Sequence, residues 1–119
     1  MSDGFVSECR STLRRLAIGD DRFVEALLCC DRENLAASCL DEKTRALVQI
    51  GTLIALDLGP QSYGAAVEAA RAAGASGEEI VGTLVAALRI VGAPRVTSAA
   101  PGLGLALGYD VDADLELML

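Results

Sequence analysis

Residues 59–94 read GPQSYGAAVEAARAAGASGEEIVGTLVAALRIVGAP. The positions of the glycine, proline and capping residues in this stretch predict two helices. The opening Gly-Pro pair predicts the end of one helix and the first turn of the next, because glycine adopts left-handed conformations and proline suits a first turn. Gly74 should end this helix. Ser76 and Glu79 have the capping-box spacing that begins the following helix. Gly92, two residues before a proline, should close it.

Helical patterns also cover most of the chain outside this stretch. Pro101 should kink or split the last helix. Residues 109–119 alternate acids with apolar residues, which fits a strand or a last helical turn, and we favour the turn. The sequence therefore predicts an all-α, compact helical bundle. Its other predicted helices cover residues 2–17, 21–31, 41–58 and 94–108, with residues 33–40 extending the second helix or forming a short one. Asp20 should cap the helix at residues 21–31.

A chain of this length predicts one domain over residues 1–119. Hydrophobic residues make up 52% of it and aromatic residues only 3%. Because so apolar a chain has to hide surface, buried contacts between subunits are the simplest outcome, and the composition predicts a homo-oligomer. Within the domain we expect N-terminal helices at residues 1–40, a core at 41–109 and an acidic C-terminal tail at 110–119.

The predicted helix at residues 41–58 is apolar nearly all round from Ala46 onward. Such a helix lies in the middle of a bundle or of an oligomer. Gly51 lies inside it, and Gly64 and Gly82 lie inside the next two helices. Each glycine costs up to about 1 kcal/mol relative to alanine. We expect close contacts between helices to compensate this cost.

Charge and composition exclude several classes of partner. The net charge of −7 argues against nucleic acid as a partner. The longest apolar stretch, residues 46–56, is shorter than the roughly 20 residues that span a bilayer, so we expect no membrane partner. The N-terminus has no secretory pattern, and we expect a cytoplasmic protein. The chain has no histidine and its cysteines fit no zinc spacing, so we expect no metal site and no cofactor.

The segments described above resemble the carboxymuconolactone decarboxylase family and its alkylhydroperoxidase-D-type relatives. The family signature is a helix with a histidine, an Ala-rich run to a glycine, two acids with an isoleucine, and then Gly-x-Pro. In this chain the signature reads AVEAARAAG at residues 66–74, ASGEEI at residues 75–80 and GAP at residues 92–94.

The resemblance extends on both sides of the signature, over residues 40–112. LDEKTRALVQIGTLIAL at residues 40–56 resembles the helix that precedes the signature. SY at residues 62–63 and RVTSAAP at residues 95–101 resemble one histidine-poor branch of the family. The resemblance implies an all-α bundle that forms a homo-oligomer, often a trimer of dimers.

The family's reactive residues are absent from this chain. Its proton-relay histidine falls on Ala66, and its Cys-x-x-Cys positions hold Gly59 and Ser62. The acidic partner on the preceding helix falls near Leu47. The resemblance therefore implies decarboxylase, lyase or peroxidase ancestry and leaves open whether this chain is an enzyme.

Five residues are candidates for a ligand-binding site, namely Ser62, Tyr63, Ala66, Arg45 and Arg95. A serine nucleophile needs a base within hydrogen-bond reach, and the chain offers no histidine. The alternative is that Ser62 is a first-turn polar residue and Tyr63 a core aromatic. Arg45 and Arg95 would bind a carboxylate through the guanidinium fork, or they are ordinary solvated charges.

The cysteines raise a different hypothesis, in which Cys29, Cys30 or Cys39 reduces a peroxide. Adjacent cysteines cannot close an unstrained disulfide, because their Cα atoms lie only about 3.8 Å apart. The alternative, which we favour, is that the cysteines are buried, inert and act as small hydrophobic residues.

Three functions follow from these residues. In the first, the chain is a divergent member that binds a small organic acid or lactone, or converts it by lyase or isomerase chemistry with non-standard polar residues. In the second, it is a non-catalytic oligomeric or ligand-binding protein on the same scaffold. The third, less favoured, is a cysteine-based peroxidase. A cavity around Ala66 lined by Ser62, Tyr63 and an arginine would favour the first, and solid packing there the second.

Overall fold

The computed structural model describes residues 3–110, with side chains from residue 7 onward. Over this part of the chain the predicted all-α class is confirmed, and no strand is present. The alternatives predicted for residues 109–119 fall mostly on residues 111–119, which lie outside the described residues. The seven α-helices are α1 (Asp3–Ala17), α2 (Asp21–Cys29), α3 (Asp31–Ser38), α4 (Glu42–Leu56), α5 (Tyr63–Ala72), α6 (Gly77–Val91) and α7 (Ala93–Ala106), and a 3-10 turn (Pro60–Ser62) precedes α5.

The chain divides into two compact units, Met1–Asp41 and Glu42–Leu119. The first unit contains α1, α2 and α3. Asp20 begins α2 as predicted, because its Oδ1 accepts a hydrogen bond from the backbone N–H of Phe23 at 3.2 Å. The ambiguous segment after α2 forms the separate helix α3, and Asn34 Nδ2 donates to the carbonyl of Leu27 at 3.1 Å. No described residue of this unit is buried.

The second unit contains the hydrophobic core, which α4 to α7 supply together with the loop after α5. Every buried residue among those described is apolar. The core is built mainly from aliphatic side chains, as the composition predicted, with one tyrosine among them. Its members are Ala46, Ile50, Ile54, Tyr63, Val67, Ala70, Ala75, Ile80, Ala99 and Leu103.

The start of α6 has the predicted capping box. Ser76 Oγ accepts from the backbone N–H of Glu79 at 3.0 Å, and Glu79 Oε1 accepts from the backbone N–H of Ser76 at 3.0 Å. Lys43 Nζ also lies 3.0 Å from Glu79 Oε2. Because Lys43 is near the start of α4 and Glu79 near the start of α6, the two helices begin at the same end and run side by side in the same direction.

Two helix boundaries differ from the prediction. Asp57, with φ of 53°, rather than Gly59, follows the end of α4 in the left-handed conformation. The short polar side chain of aspartate tolerates this conformation, and here it accepts a hydrogen bond from Ser98. Pro101 does not split α7, which is continuous. The carbonyl that loses its helical donor belongs to Thr97, an exposed residue.

α4 is apolar nearly all round, but only one of its faces is buried in this chain. Ala46, Ile50 and Ile54 lie in the core, whereas Val48 is 55% exposed. α4 contacts α5, α6 and α7, as expected of a helix in the middle of a bundle, although the face that carries Val48 stays open. The alternative, the middle of an oligomer, stays a prediction.

The glycines inside the helices also differ from expectation. A Cβ atom built at Gly51, Gly64 or Gly82 would meet no described heavy atom within 4 Å, so the predicted close contacts are absent there. Gly102 in α7 has the close contact instead. A Cβ at this position would lie 2.8 Å from Cα of Pro60, so the helix approaches the 3-10 turn only because the residue is glycine.

Candidate functional site

The candidate site lies where α4 ends, beside the 3-10 turn and α7. Arg95 Nη1 donates to the carbonyl of Ala55 at 2.8 Å and so satisfies an acceptor in the last turn of α4. Ser98 Oγ donates to Asp57 Oδ1 at 3.0 Å. Both bonds join α7 to the end of α4, so these polar groups hold two elements together.

Ser62 is half-buried in the 3-10 turn, and its hydroxyl is engaged by the backbone. Its Oγ donates to the carbonyl of Gly59 at 2.7 Å. Lys43, the single lysine of the sequence, lies near the start of α4. Along the helix it is about 20 Å from Leu56, the last residue of α4, at 1.5 Å per residue. The chain has no histidine, and its lysine is too far away, so neither a histidine nor a lysine is available as the base that would activate this serine.

Tyr63 is a core residue, with only 1% of its surface exposed. A Cβ built at Gly102 would lie 3.3 Å from Cδ2 of the ring, so α7 closes one side of the tyrosine. The hydroxyl is buried without a hydrogen-bond partner among the described atoms. Burial raises the pKa of Tyr63, and the nearby Asp57 carboxylate raises it further. The phenol therefore stays protonated and is a candidate hydrogen-bond donor.

Ala66 and Arg45 complete the predicted set. Ala66 is half-buried and packs against the core, at the position where the resemblance implies a histidine. Arg45 lies in the first turn of α4, about 16 Å from the last residue of that helix. The structure thus places Ser62, Tyr63 and Arg95 near one end of α4 and Arg45 near the other.

Sequence reasoning missed three residues of this region, namely Asp57, Ser98 and Gly102. Ser98 follows Arg95 by one helical turn, which places both residues on one face of α7. This spacing is the signal by which Ser98 could have been added to the predicted site. Asp57 precedes a Leu-Gly-Pro sequence, where a residue that tolerates the left-handed conformation is expected. No local signal points to Gly102, because its role depends on the approach of a distant turn.

The cysteines lie in the first unit and are more accessible than predicted. Cys9, Cys29 and Cys39 are exposed and Cys30 is half-buried, so the interpretation of these thiols as buried residues is wrong for three of them. Cys9 and Cys39 both line a cleft of about 430 Å³ beside α1 and α3. Within residues 3–110, no three histidine, cysteine or acidic residues are grouped so that they could hold a metal ion.

A larger concave surface, about 570 Å³ in volume, lies between α4 and α6. None of the residues that line it is charged. Val48 and Ile90 are prominent in it, with Ile90 87% exposed. We call this surface the α4–α6 face, and it is lined by Thr44, Leu47, Val48, Gly51, Thr52, Ala55, Thr83, Ala86, Ala87, Ile90 and Val91.

None of the α-helices in the described residues combines the length and the apolar character that crossing a bilayer requires.

Comparison with protein-family models matches residues 22–103 to the Carboxymuconolactone decarboxylase family. The match includes the helices that carry the resemblance and extends it toward the N-terminus into α2. Comparison with curated proteins and with solved structures gives no match. The resemblance inferred from the sequence is confirmed at the level of the family.

Proposed function

The chain belongs to the carboxymuconolactone decarboxylase family, and from this premise we propose that it is a non-catalytic, self-associating member. The observation that carries the proposal is that the positions where the resemblance places the family's reactive residues hold no free reactive group, because the Ser62 hydroxyl is bonded to the backbone, and that α7 packs closely on the neighbouring 3-10 turn. These positions are occupied by Gly59, Ser62 and Ala66 and, on α4, by Leu47.

The packing argument concerns the space beside Tyr63. Pro60 and the tyrosine ring lie so close to Gly102 that a single added methyl group would clash with Pro60. Ala66 packs against the core one turn later. A substrate needs a concave site that is largely preformed, and neither concave surface described above is lined by Gly59, Ser62, Tyr63 or Ala66, although Leu47 lines the α4–α6 face.

The chemical argument concerns proton transfer. General acid–base catalysis needs a group that changes its protonation state near the working pH. Ala66 has no such group, and the Ser62 hydroxyl already donates to a backbone carbonyl. Raising the pKa of Tyr63 moves its titration further from neutrality. Ser62, Tyr63 and Ala66 therefore suit a structural role better than a catalytic one.

An activity assay tests the non-catalytic part of the proposal. The purified chain is incubated with a panel of lactones and small organic acids, and separately with an alkyl hydroperoxide. We expect no consumption above the rate without protein. Turnover that falls at least tenfold in Tyr63→Phe and persists in the control Tyr109→Phe would contradict the proposal and identify Tyr63 as a functional group.

A second candidate is a divergent member that binds or converts a small organic acid or lactone. The unpaired, buried hydroxyl of Tyr63 favours it, since a ligand acceptor would satisfy this donor. At a ligand concentration about 100 times the Kd, binding stabilises a fold by about 2.7 kcal/mol. This candidate predicts that an acid or lactone raises the Tm of the wild type and leaves that of Tyr63→Phe unchanged.

The cellular location is part of the proposal as well. Three exposed cysteines without a disulfide suit a reducing compartment, because exposed thiols persist where glutathione and thioredoxin keep them reduced. We therefore propose a cytoplasmic protein. Its localisation is tested by fractionating cells that produce the untagged chain, and recovery from a secreted fraction would contradict it.

A further inference from the structure

Two exposed cysteines from distant parts of the sequence line one cleft of the first unit. Cys9 lies on α1 and Cys39 directly follows α3, and both line the cleft of about 430 Å³ beside these helices. Each thiol is exposed and therefore open to a reagent in solution. The other two cysteines, Cys29 and Cys30, do not line this cleft. The fold thus brings one particular pair of thiols to the same concave surface.

α1 and α3 form the two walls of this cleft. Thr12 of α1 and the pair Ala37 and Ser38 of α3 line it, and the same three residues line a smaller adjoining cleft of about 280 Å³. Cys9 precedes Thr12 by one helical turn and so shares its face of α1. Cys39 immediately follows Ser38. The two thiols therefore lie on opposite walls of one gap.

Cys39 has a backbone conformation that cysteine seldom adopts. It ends α3 with φ of 55°, in the left-handed region. Glycine is the usual residue at such a helix end, because it has no Cβ atom to clash with the neighbouring carbonyl. Glycine at this position would end α3 in the same way with less strain, so the helix end does not explain the choice of cysteine. A bond made by the thiol does.

We propose that Cys9 and Cys39 form a reversible disulfide that closes this cleft and joins α1 to the end of α3. The pair is distinct from the family's Cys-x-x-Cys, whose positions hold Gly59 and Ser62, and Cys9 lies outside the residues that match the family. The proposal goes beyond the proposed function, because it requires neither turnover of a substrate nor self-association.

The helices that carry the two cysteines can adjust to the bond. A disulfide holds its two Cα atoms about 4.4–6.8 Å apart, so α1 and the end of α3 must approach each other across the cleft. No described side chain of α1, α2 or α3 is buried. Few apolar contacts therefore resist a small movement of α1, and the cleft provides the space for it.

The oxidant that we assign to this pair is a low-molecular-weight disulfide, with glutathione disulfide as the probe. Glu8 and Arg15 are the charged residues that line the cleft, and their opposite signs leave no net charge there to repel an anionic oxidant. A bond that reduced glutathione reverses suits a compartment where thiols are kept reduced, because disulfides in such compartments are usually transient.

The reaction consists of two exchange steps. The thiolate of one cysteine attacks a sulfur of glutathione disulfide, which forms a mixed disulfide and releases one glutathione thiolate. The thiolate of the second cysteine then attacks the protein sulfur of the mixed disulfide and releases the other glutathione. Two electrons pass from the protein to the oxidant, and the two protons of the cysteine thiols end on the two glutathione molecules. Excess reduced glutathione drives both steps backwards.

The bond should stabilise the first unit. It closes a loop of about 30 residues that contains α2 and α3, and such closure restricts the unfolded chain. Small units that cannot build a sufficient core commonly depend on disulfides. A unit without a buried side chain among its described residues is therefore one in which a cross-link has a large effect.

Glutathione buffers test whether the bond forms. The full chain, Cys9→Ser and Cys39→Ser are equilibrated at low protein concentration with mixtures of reduced and oxidised glutathione. Free thiols are then blocked, and mass spectrometry of the intact chain and of its peptides identifies the bridged residues. Cys29→Ser is the matched control, since it removes an exposed cysteine that does not line the cleft. Circular dichroism checks that every variant folds.

We expect the wild type and Cys29→Ser to lose two hydrogen atoms by forming one bridge between Cys9 and Cys39. Each should contain at least tenfold more bridged chain than Cys9→Ser or Cys39→Ser in the same buffer. Glutathione adducts without a bridge, a bridge that includes Cys29 or Cys30, or a bond between two copies would overturn the proposal. Thiols that stay reduced in every buffer would overturn it as well.

Urea unfolding tests the effect of the bond on the first unit. At the urea concentration where the reduced wild type has lost half of its first helical transition by circular dichroism, the bridged wild type should be at least tenfold less unfolded. Cys9→Ser should unfold identically in the reducing and the oxidising buffer. If the bridged and the reduced wild type unfold identically, the bond does not fasten α1 to the end of α3 and the proposal is wrong.

Discussion

Gly102 is the residue whose size is most tightly constrained. Gly102→Ala would place a methyl group within 3 Å of Pro60, whose backbone cannot move away without shifting the 3-10 turn. Overpacking of this kind costs about 1–3 kcal/mol. We expect a corresponding loss in the free energy of unfolding measured with urea. The control Gly82→Ala should instead gain up to about 1 kcal/mol, and an unchanged stability of Gly102→Ala would show that the turn adapts.

Tyr63 predicts how stability changes in alkali. Its pKa is raised in the folded chain, so above about pH 10 the unfolded state loses the phenolic proton while the folded state keeps it. The unfolded state is thereby favoured, and stability falls as pH rises from about 10 toward the folded pKa. Tyr63→Phe should reduce this fall, as measured by urea unfolding between pH 8 and 11. Tyr109→Phe controls for the loss of one phenol, and equal slopes in both variants would contradict the prediction.

At the scale of elements, the capping box determines where α6 begins. Ser76→Ala removes the acceptor for the Glu79 backbone N–H, and loss of such a cap costs about 0.5–2 kcal/mol. We expect this loss in thermal or urea unfolding, with the helical circular dichroism of the folded state retained. Ser76→Asp keeps an acceptor at the cap and serves as the conservative control. If both variants lose the same stability, the hydrogen bond is not the cause.

The capping box of α6 also predicts how the stability of the fold changes in acid. The pKa of Glu79 is lowered, first by the backbone hydrogen bond from Ser76 and then by Lys43. Stability from this carboxylate is therefore present above the unfolded pKa, near 4.3, and is lost as pH falls through the folded pKa. Glu79→Gln should flatten the stability profile below about pH 4.5. Glu78→Gln, at the neighbouring position outside the cap, is the control, and identical profiles for the two would refute the assignment.

Features that depend on residues close together along the chain could be predicted from the sequence, whereas features that depend on distant contacts could not. The starts and ends at Asp20, Gly74, Ser76 and Gly92 were all predicted correctly, because each is determined by residues within one helical turn. The role of Gly102 was not predicted, since it comes from contact with a turn that is distant along the chain.

For the whole molecule, the family and the all-α class were predictable, whereas the distribution of exposed surface was not. The pattern of α4 indicates that it is apolar nearly all round from Ala46 onward, with Gln49 and Thr52 as the polar exceptions. Which face is buried depends on the neighbours that α5, α6 and α7 provide. Accessibility of Cys9 and Cys39 depends likewise on how α1 and α3 pack. Which candidate residues lie together also depends on packing, since Ser62, Tyr63 and Arg95 lie near one end of α4 and Arg45 near the other.

No residue is buried in the described part of α1, α2 and α3. We therefore expect these helices to unfold locally before the helices of the second unit. Helices without a fully buried side chain have few apolar contacts to hold them in place, so their amide protons become accessible at small energetic cost. We expect deuterium to enter α2 and α3 in seconds to minutes and to enter α4 and α5 far more slowly. A protease added to the native chain should accordingly cut α2 and α3 before it cuts within residues 42–110.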